Sequence, residues 1–238
     1  MTSVQLEVCV DTIDGAIAAQ NGGADRIELC SALSEGGLTP SAGLIVAAAK
    51  LAIPSYVMIR PRCGGFNFSD AEMRVMLDDI ATVKAAGLAG VVLGVQSPDG
   101  TLDKSALATL CDAAGDLGKT LHRVIDITPN PFDALDDAIS LGFERVLTSG
   151  GAAKAVDGAE TVKKMVDHAA GRISIMPGSG LSEDNISKFV AQTGVTEVHA
   201  SCAIPAKGEE SFSNFSPPAG RKETCSNKVK QMKRELSA

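Results

Sequence analysis

Short apolar runs rich in Val, Ile and Leu alternate with longer Ala-rich stretches of helical periodicity along most of this chain. That alternation is the pattern of repeated βα units. It admits few folds, because parallel strands must be joined by crossovers and covered by helices. Strands are predicted at Leu6–Val10, Arg26–Leu29, Tyr56–Ile59, Val91–Leu93, Thr120–Val124, Arg145–Thr148, Ile173–Met176 and Glu197–His199. Helices are predicted near Thr12–Asn21, Ser41–Lys50, Asp70–Ala86, Asp103–Ala114, Pro131–Leu141, Ala159–Ala169 and Glu183–Gln192. Several of them end on Gly, where a left-handed cap is least strained, and Asp11 or Thr12, Ser69 and Ser182 stand at N-cap positions.

Eight strands with seven intervening helices close as a barrel or remain open as a doubly wound sheet. The open sheet calls for a Gly-rich turn after its first strand. Here that turn reads CVDTIDG, without GxGxxG. A single α/β domain over residues 1–238 is therefore expected, a (β/α)8 TIM-type barrel with an irregular C-terminal segment. Residues 203–222 read as a long loop and 223–236 as the closing helix. With no Trp, one Tyr and seven Phe, aliphatic side chains must fill the interior.

The net charge of −7 opposes an electrostatic grip on nucleic acid or an anionic membrane. No apolar run approaches the ~20 residues of a membrane span, and the start lacks the pattern of a signal peptide. Six Cys without a CxxC pair indicate neither a zinc ribbon nor a disulfide framework. A cytoplasmic protein, assembled as a homo-oligomer, is expected.

Strand side chains alternate, so one charged residue sets the phase of its strand. Glu7 and Glu28 would be costly against the apolar helix layer. They are therefore expected inside the barrel with Cys9, Asp11 and Cys30, joined by Met58, Arg60 and Arg62 of strand three. His122 and Asp126 of strand five, and Glu197, His199 and Ser201 of strand eight, share that phase. Arg60 is the expected bidentate partner of Glu7 and Glu28. Such a cluster can be a structural polar layer. Alternatively, Glu7, Glu28, His122, Asp126 and His199 are candidate catalytic groups, since barrel active sites form at strand C-terminal ends.

Cys9 and Cys30 face one another one phase step nearer the mouth, and two thiolates suit Cu(I). Gly-rich turns at Ser34–Gly37, Thr148–Gly151 and Pro177–Gly180 expose backbone N–H groups that cradle anions. Arg60, Arg62, Ser149, Gly150, Gly178 and Gly180 are thus candidates for holding a small anionic or phosphorylated ligand. No Lys stands at a predicted strand end, which speaks against a Schiff-base aldolase.

The runs LEVCVD (Leu6–Asp11), GGADRIELCSALSEGGLTPS (Gly22–Ser41), MIRPR (Met58–Arg62), TLHRVID (Thr120–Asp126), GFERVLTSGG (Gly142–Gly151) and IMPGSGL (Ile175–Leu181) resemble, in order, the CutC copper-homeostasis family. That resemblance implies a TIM barrel, a cytoplasmic location and a role in copper handling, with Cys9 and Cys30 as the Cu(I) ligands. Departures from the family pattern are Cys63 for a Gly, Gly65 for an Asp, and Cys202 for an Ala. Two functions are therefore open: a Cu(I)-binding barrel, or a TIM-barrel enzyme acting on a small anion at the mouth.

Overall fold

Polar side chains start the helices and left-handed residues end them. Thr12, Ser41, Ser69, Asp103 and Asn130 each accept a backbone N–H from the helix that follows. At Ser69, Glu72 returns the bond and completes a capping box. Gly23, Gly87 and Gly194 end their helices at φ of 84°, 73° and 73°.

The computed structural model describes residues 4–206 and 220–237. Eight strands, β1 (Gln5–Val10), β2 (Arg26–Leu29), β3 (Ser55–Met58), β4 (Gly90–Leu93), β5 (Gly118–Leu121), β6 (Arg145–Thr148), β7 (Ser174–Pro177) and β8 (Glu197–Ala200), form one sheet in the order β7-β6-β5-β4-β3-β2-β1-β8. Every ladder in it is parallel. The end strands β7 and β8 pack together, so the sheet curls into the expected TIM barrel. Their approach requires Gly178, where a Cβ would lie 2.7 Å from Leu147 Cδ1 and 3.3 Å from His199 Cβ.

Helices α1 (Ile13–Gly22), α2 (Ala42–Ala48), α3 (Asp70–Ala86), α4 (Lys104–Ala114), α5 (Pro131–Ser140), α6 (Ala159–Ala169) and α7 (Ile186–Thr193) alternate with the strands. One phase of the strands, including Leu6, Val8, Val10, Ile27, Leu29, Val57 and Ile59, joins the large core shared with the helices. Each fully buried aliphatic there contributes about 1.5–3 kcal/mol. The other phase forms a separate cluster of Cys30, Tyr56, Met58 and Val92.

Three expectations are corrected. Strand β5 ends at Leu121, and a 3-10 helix over Arg123–Ile127 follows, capped by His122. Asp126 therefore stands on that helix and not on the strand. Helix α7 starts at Ile186 after Asn185, while the backbone N–H of Ser182 is bound by the Asn185 side chain. The segment read as a long loop opens with β9 (Ala203–Pro205), which pairs antiparallel with β10 (Lys222–Thr224), a strand lying where the closing helix was expected to begin. Residues 207–219 of that loop lie outside the described residues. Helix α8 (Ser226–Glu235) follows and packs on α1 and α7 through buried Val229 and Met232. Among the described residues, no helix is long and apolar enough to cross a membrane.

Candidate functional site

The ladder register decides which polar groups meet. Glu7 on β1 pairs with Arg26 of β2 on one side and His199 of β8 on the other, and Cys9 pairs with Glu28. Deep in the barrel, Arg26 binds Glu7 at 2.5 Å and Glu197 at 2.6 Å, and Arg145 binds Glu197 at 3.1 Å. Both guanidinium groups lie over the Tyr56 ring, at 5.2 and 4.7 Å. The cation that neutralises Glu7 is thus Arg26, not Arg60. Arg26 shares the parity of Glu28 and Cys30, so the same alternation argument could have placed it inside.

One level nearer the mouth, His199 Nδ1 lies 2.8 Å from Glu7 Oε1, and its Nε2 lies 3.9 Å from Glu28 Oε2. The Cys30 thiol donates to Glu28 Oε2 at 3.5 Å. Burial alone would raise the Glu7 carboxyl, but the His199 hydrogen bond and the Arg26 charge outweigh it and hold the group at about 2. Burial would likewise depress His199, yet the groups around it, Cys9 and Glu28 foremost and the Glu7 hydrogen bond with them, raise it well above its ordinary value. Burial also raises Glu28, and it raises Cys30 far above the ordinary thiol range. One ligand atom each from Cys9, Glu28 and His199 lies within 4.8 Å of the others. Cys30 is outside that set of three.

Above the cluster opens a cavity of about 420 Å3, lined among others by Cys9, Glu28, Arg60, His122 and His199. Three buried side-chain atoms of these residues have no hydrogen-bond partner among the described residues: Glu28 Oε1, Arg60 Nε and His122 Nε2. Unpartnered buried polar atoms are rare in folded proteins, and these three belong to side chains that line one cavity.

The other candidates are placed differently. Arg60 donates through Nη1 to the carbonyls of Glu35 and Gly37, and through Nη2 to that of Gly64. Arg62 binds Glu72 and the carbonyls of Cys63, Gly65 and Asn67. The two arginines therefore hold loops, and neither presents a free fork to a phosphate. The nest at Thr148–Gly151 already contains an anion, Asp126, whose carboxylate accepts the N–H groups of Ser149 and Gly151 and the hydroxyls of Thr148 and Ser149. Gly150 N–H is bound by Thr148 Oγ1, and Gly178 N–H by the Thr148 carbonyl. Gly180 lines the cavity. Asp126 was expected inside strand five as a proton-transfer candidate. The early end of β5 turns it instead toward this turn, where it is paired with Arg123 at 2.7 Å. Of the extra cysteines, Cys63 is exposed, and burial pushes Cys202 up to about 12.

The sequence model of the CutC family matches residues 4–204. A CutC family protein of Rhizobium meliloti is 48% identical over 100% of this chain and 98% of its own length. One from Agrobacterium fabrum is 48% identical over 98% of this chain and 94% of its own. Among solved structures, the Streptococcus agalactiae protein described as a copper homeostasis protein CutC superposes with a TM-score of 0.80 at 30% identity, covering 83% of this chain and 98% of that one. Thiamine phosphate pyrophosphorylase of Pyrococcus furiosus, at 15% identity and a TM-score of 0.61 over 99% of this chain and 96% of that one, shares the barrel fold. By sequence along its whole length and by the architecture of its barrel, this chain belongs to the CutC family.

Proposed function

We propose that the protein binds Cu(I) at the floor of the barrel mouth, in the reducing cytosol, with Cys9 and His199 as principal ligands. The observation that carries this reading is the convergence of a thiol, an imidazole and a carboxylate within 4.8 Å. Sulfur and imidazole nitrogen suit copper, and the orphaned Glu28 Oε1 is a buried acceptor for a cation. Glu7, held ionised, accepts the Nδ1 proton of His199 and leaves Nε2 to face the cluster, the outer carboxylate arrangement usual for a metal-binding imidazole. Cys30 stands beside the set, its thiol on Glu28. It is a second sulfur that the ion can recruit by displacing a proton. All six cysteines are free thiols, in keeping with a reducing compartment.

Because His199 must lose a proton to become a ligand, copper affinity rises with pH. The test is an anaerobic titration of the reduced protein against a chromophoric Cu(I) chelator, with Zn(II) as competitor. One Cu(I) per chain is expected. Cys9→Ser and His199→Gln should each weaken it by about 100-fold, and Cys30→Ser by about tenfold. Uptake unchanged in all three variants, or Zn(II) held more tightly than Cu(I) at these residues, would overturn the assignment.

A further inference from the structure

We propose that Arg26, which does not itself line the cavity, is a positioning residue for the copper site. Its guanidinium sets the plane of the Glu7 carboxylate, and Glu7 in turn sets the face that His199 presents to Cys9 and Glu28. The proposal rests on the copper reading only for what the imidazole is aimed at.

Strand register lays the three residues side by side. Arg26 on β2 and His199 on β8 are the two register partners of Glu7 on β1, and all three are buried. Their neighbours Leu6, Val8, Ile27 and Val198 join the core shared with the helices, which leaves the three on the inner face. Arg26 Nε donates to Glu7 Oε2 at 2.5 Å, and His199 Nδ1 donates to Glu7 Oε1 at 2.8 Å. A carboxylate is planar, so a donor that fixes one oxygen also aims the other.

Arg26 is itself held at further points. Its Nη2 donates to Glu197 Oε2 at 2.6 Å and lies 3.3 Å from Met176 Sδ, and its Cζ stands 5.2 Å from the Tyr56 ring centroid. Arg145 Nε holds the same Glu197 oxygen at 3.1 Å. Glu197 precedes His199 by two residues on β8, so both share one face of the strand. The contacts His199–Glu7–Arg26–Glu197 therefore leave β8, pass through β1 and β2, and return to β8. The imidazole is thereby located against its own strand.

Charge alone does not account for an arginine here. A lysine ammonium would neutralise Glu7, but it is a point charge on a flexible stem. The guanidinium is a planar fork that reaches two carboxylates at fixed angles. Neutralisation survives Arg26→Lys, and positioning does not.

The test uses the whole chain labelled with 15N-histidine, first free of metal and then titrated with Cu(I) against a chromophoric chelator. In the metal-free wild type the His199 Nδ1–H proton should resonate far downfield, as a proton shared with a carboxylate does. In Arg26→Lys that resonance should move upfield or broaden, and Cu(I) affinity should fall by about tenfold to 100-fold. Glu197→Gln removes the charge that anchors Arg26 without touching Glu7 or the cluster, and should move the resonance the same way by less. Urea unfolding shows whether each variant is folded. An unmoved resonance in Arg26→Lys, or in Glu197→Gln where the lysine variant does not fold, overturns the proposal. So does wild-type Cu(I) affinity in a folded Arg26→Lys. A wild type that takes up no Cu(I) would remove the copper reading, and the metal-free resonance would still decide whether Arg26 aims the imidazole.

Discussion

Glu7 Oε1 and His199 Nδ1 lie 2.8 Å apart because the two residues are register partners on β1 and β8, the strands that bring the end of the chain's barrel back to its start. Arg26 holds the other Glu7 oxygen. One buried carboxylate thus joins three strands and orients the imidazole of the copper cluster.

This linkage should shape the pH dependence of stability. Glu7 is held at about 2 against an ordinary 4.5. Its contribution, about 3 kcal/mol, is complete above pH 4.5 and disappears as pH falls from there toward 2. His199 is raised, so its contribution is complete below its ordinary 6.5 and declines as pH climbs above that value. Urea unfolding across the pH range should show both limbs. Glu7→Gln should lower stability at neutral pH by about 3–5 kcal/mol and flatten the acid limb. An acid limb unchanged in that variant would assign it to other carboxylates.

Glu28 has the opposite effect. Its folded carboxyl is raised, so the unfolded chain releases the proton first and stability falls as pH rises above 4.5. Glu28→Gln should therefore stabilise the protein at neutral pH by about 1 kcal/mol while weakening Cu(I) uptake. At acid pH, where both states are protonated, the gain should vanish. Paired melts at the two pH values check this.

Asp126 fills the turn where an exogenous anion was expected. Asp126→Ala should leave the Ser149 and Gly151 amides and the Thr148 hydroxyl without their acceptor, whereas the Ser149 hydroxyl keeps the Ala152 carbonyl, and should cost about 3–5 kcal/mol. Added formate or acetate should restore part of that loss in the variant and nothing comparable in the wild type, read as a shift in melting temperature. Equal responses in both proteins would show that the nest is not the site of rescue.

Gly94 leaves room for the ring of His122. A Cβ there would stand 2.4 Å from His122 Cε1 and 2.7 Å from its Nδ1. Gly94→Ala should cost about 1–3 kcal/mol and displace the imidazole, so that the His122 ring resonance moves. A variant as stable as wild type with that signal unmoved would show that the ring has space to yield.

The barrel was legible from the chain alone because the alternation of strand and helix periods, the terminal glycines and the polar caps are local signals. So was the inward phase of Glu7, Glu28, Cys9 and Cys30, since a charge on a short strand determines which side of the sheet its neighbours face. The partners were not legible. Parity says that a side chain points inward but not how far along the barrel axis it meets another. That depends on the stagger between strands, which put Arg26 rather than Arg60 on Glu7, and brought His199 together with Cys9 and Glu28. Likewise, a Gly-rich turn displays the same amides in sequence whether they await a ligand or hold an aspartate 23 to 25 residues earlier in the chain. Local periodicity determined the fold and the inner face, and strand register decided which of those groups share a site.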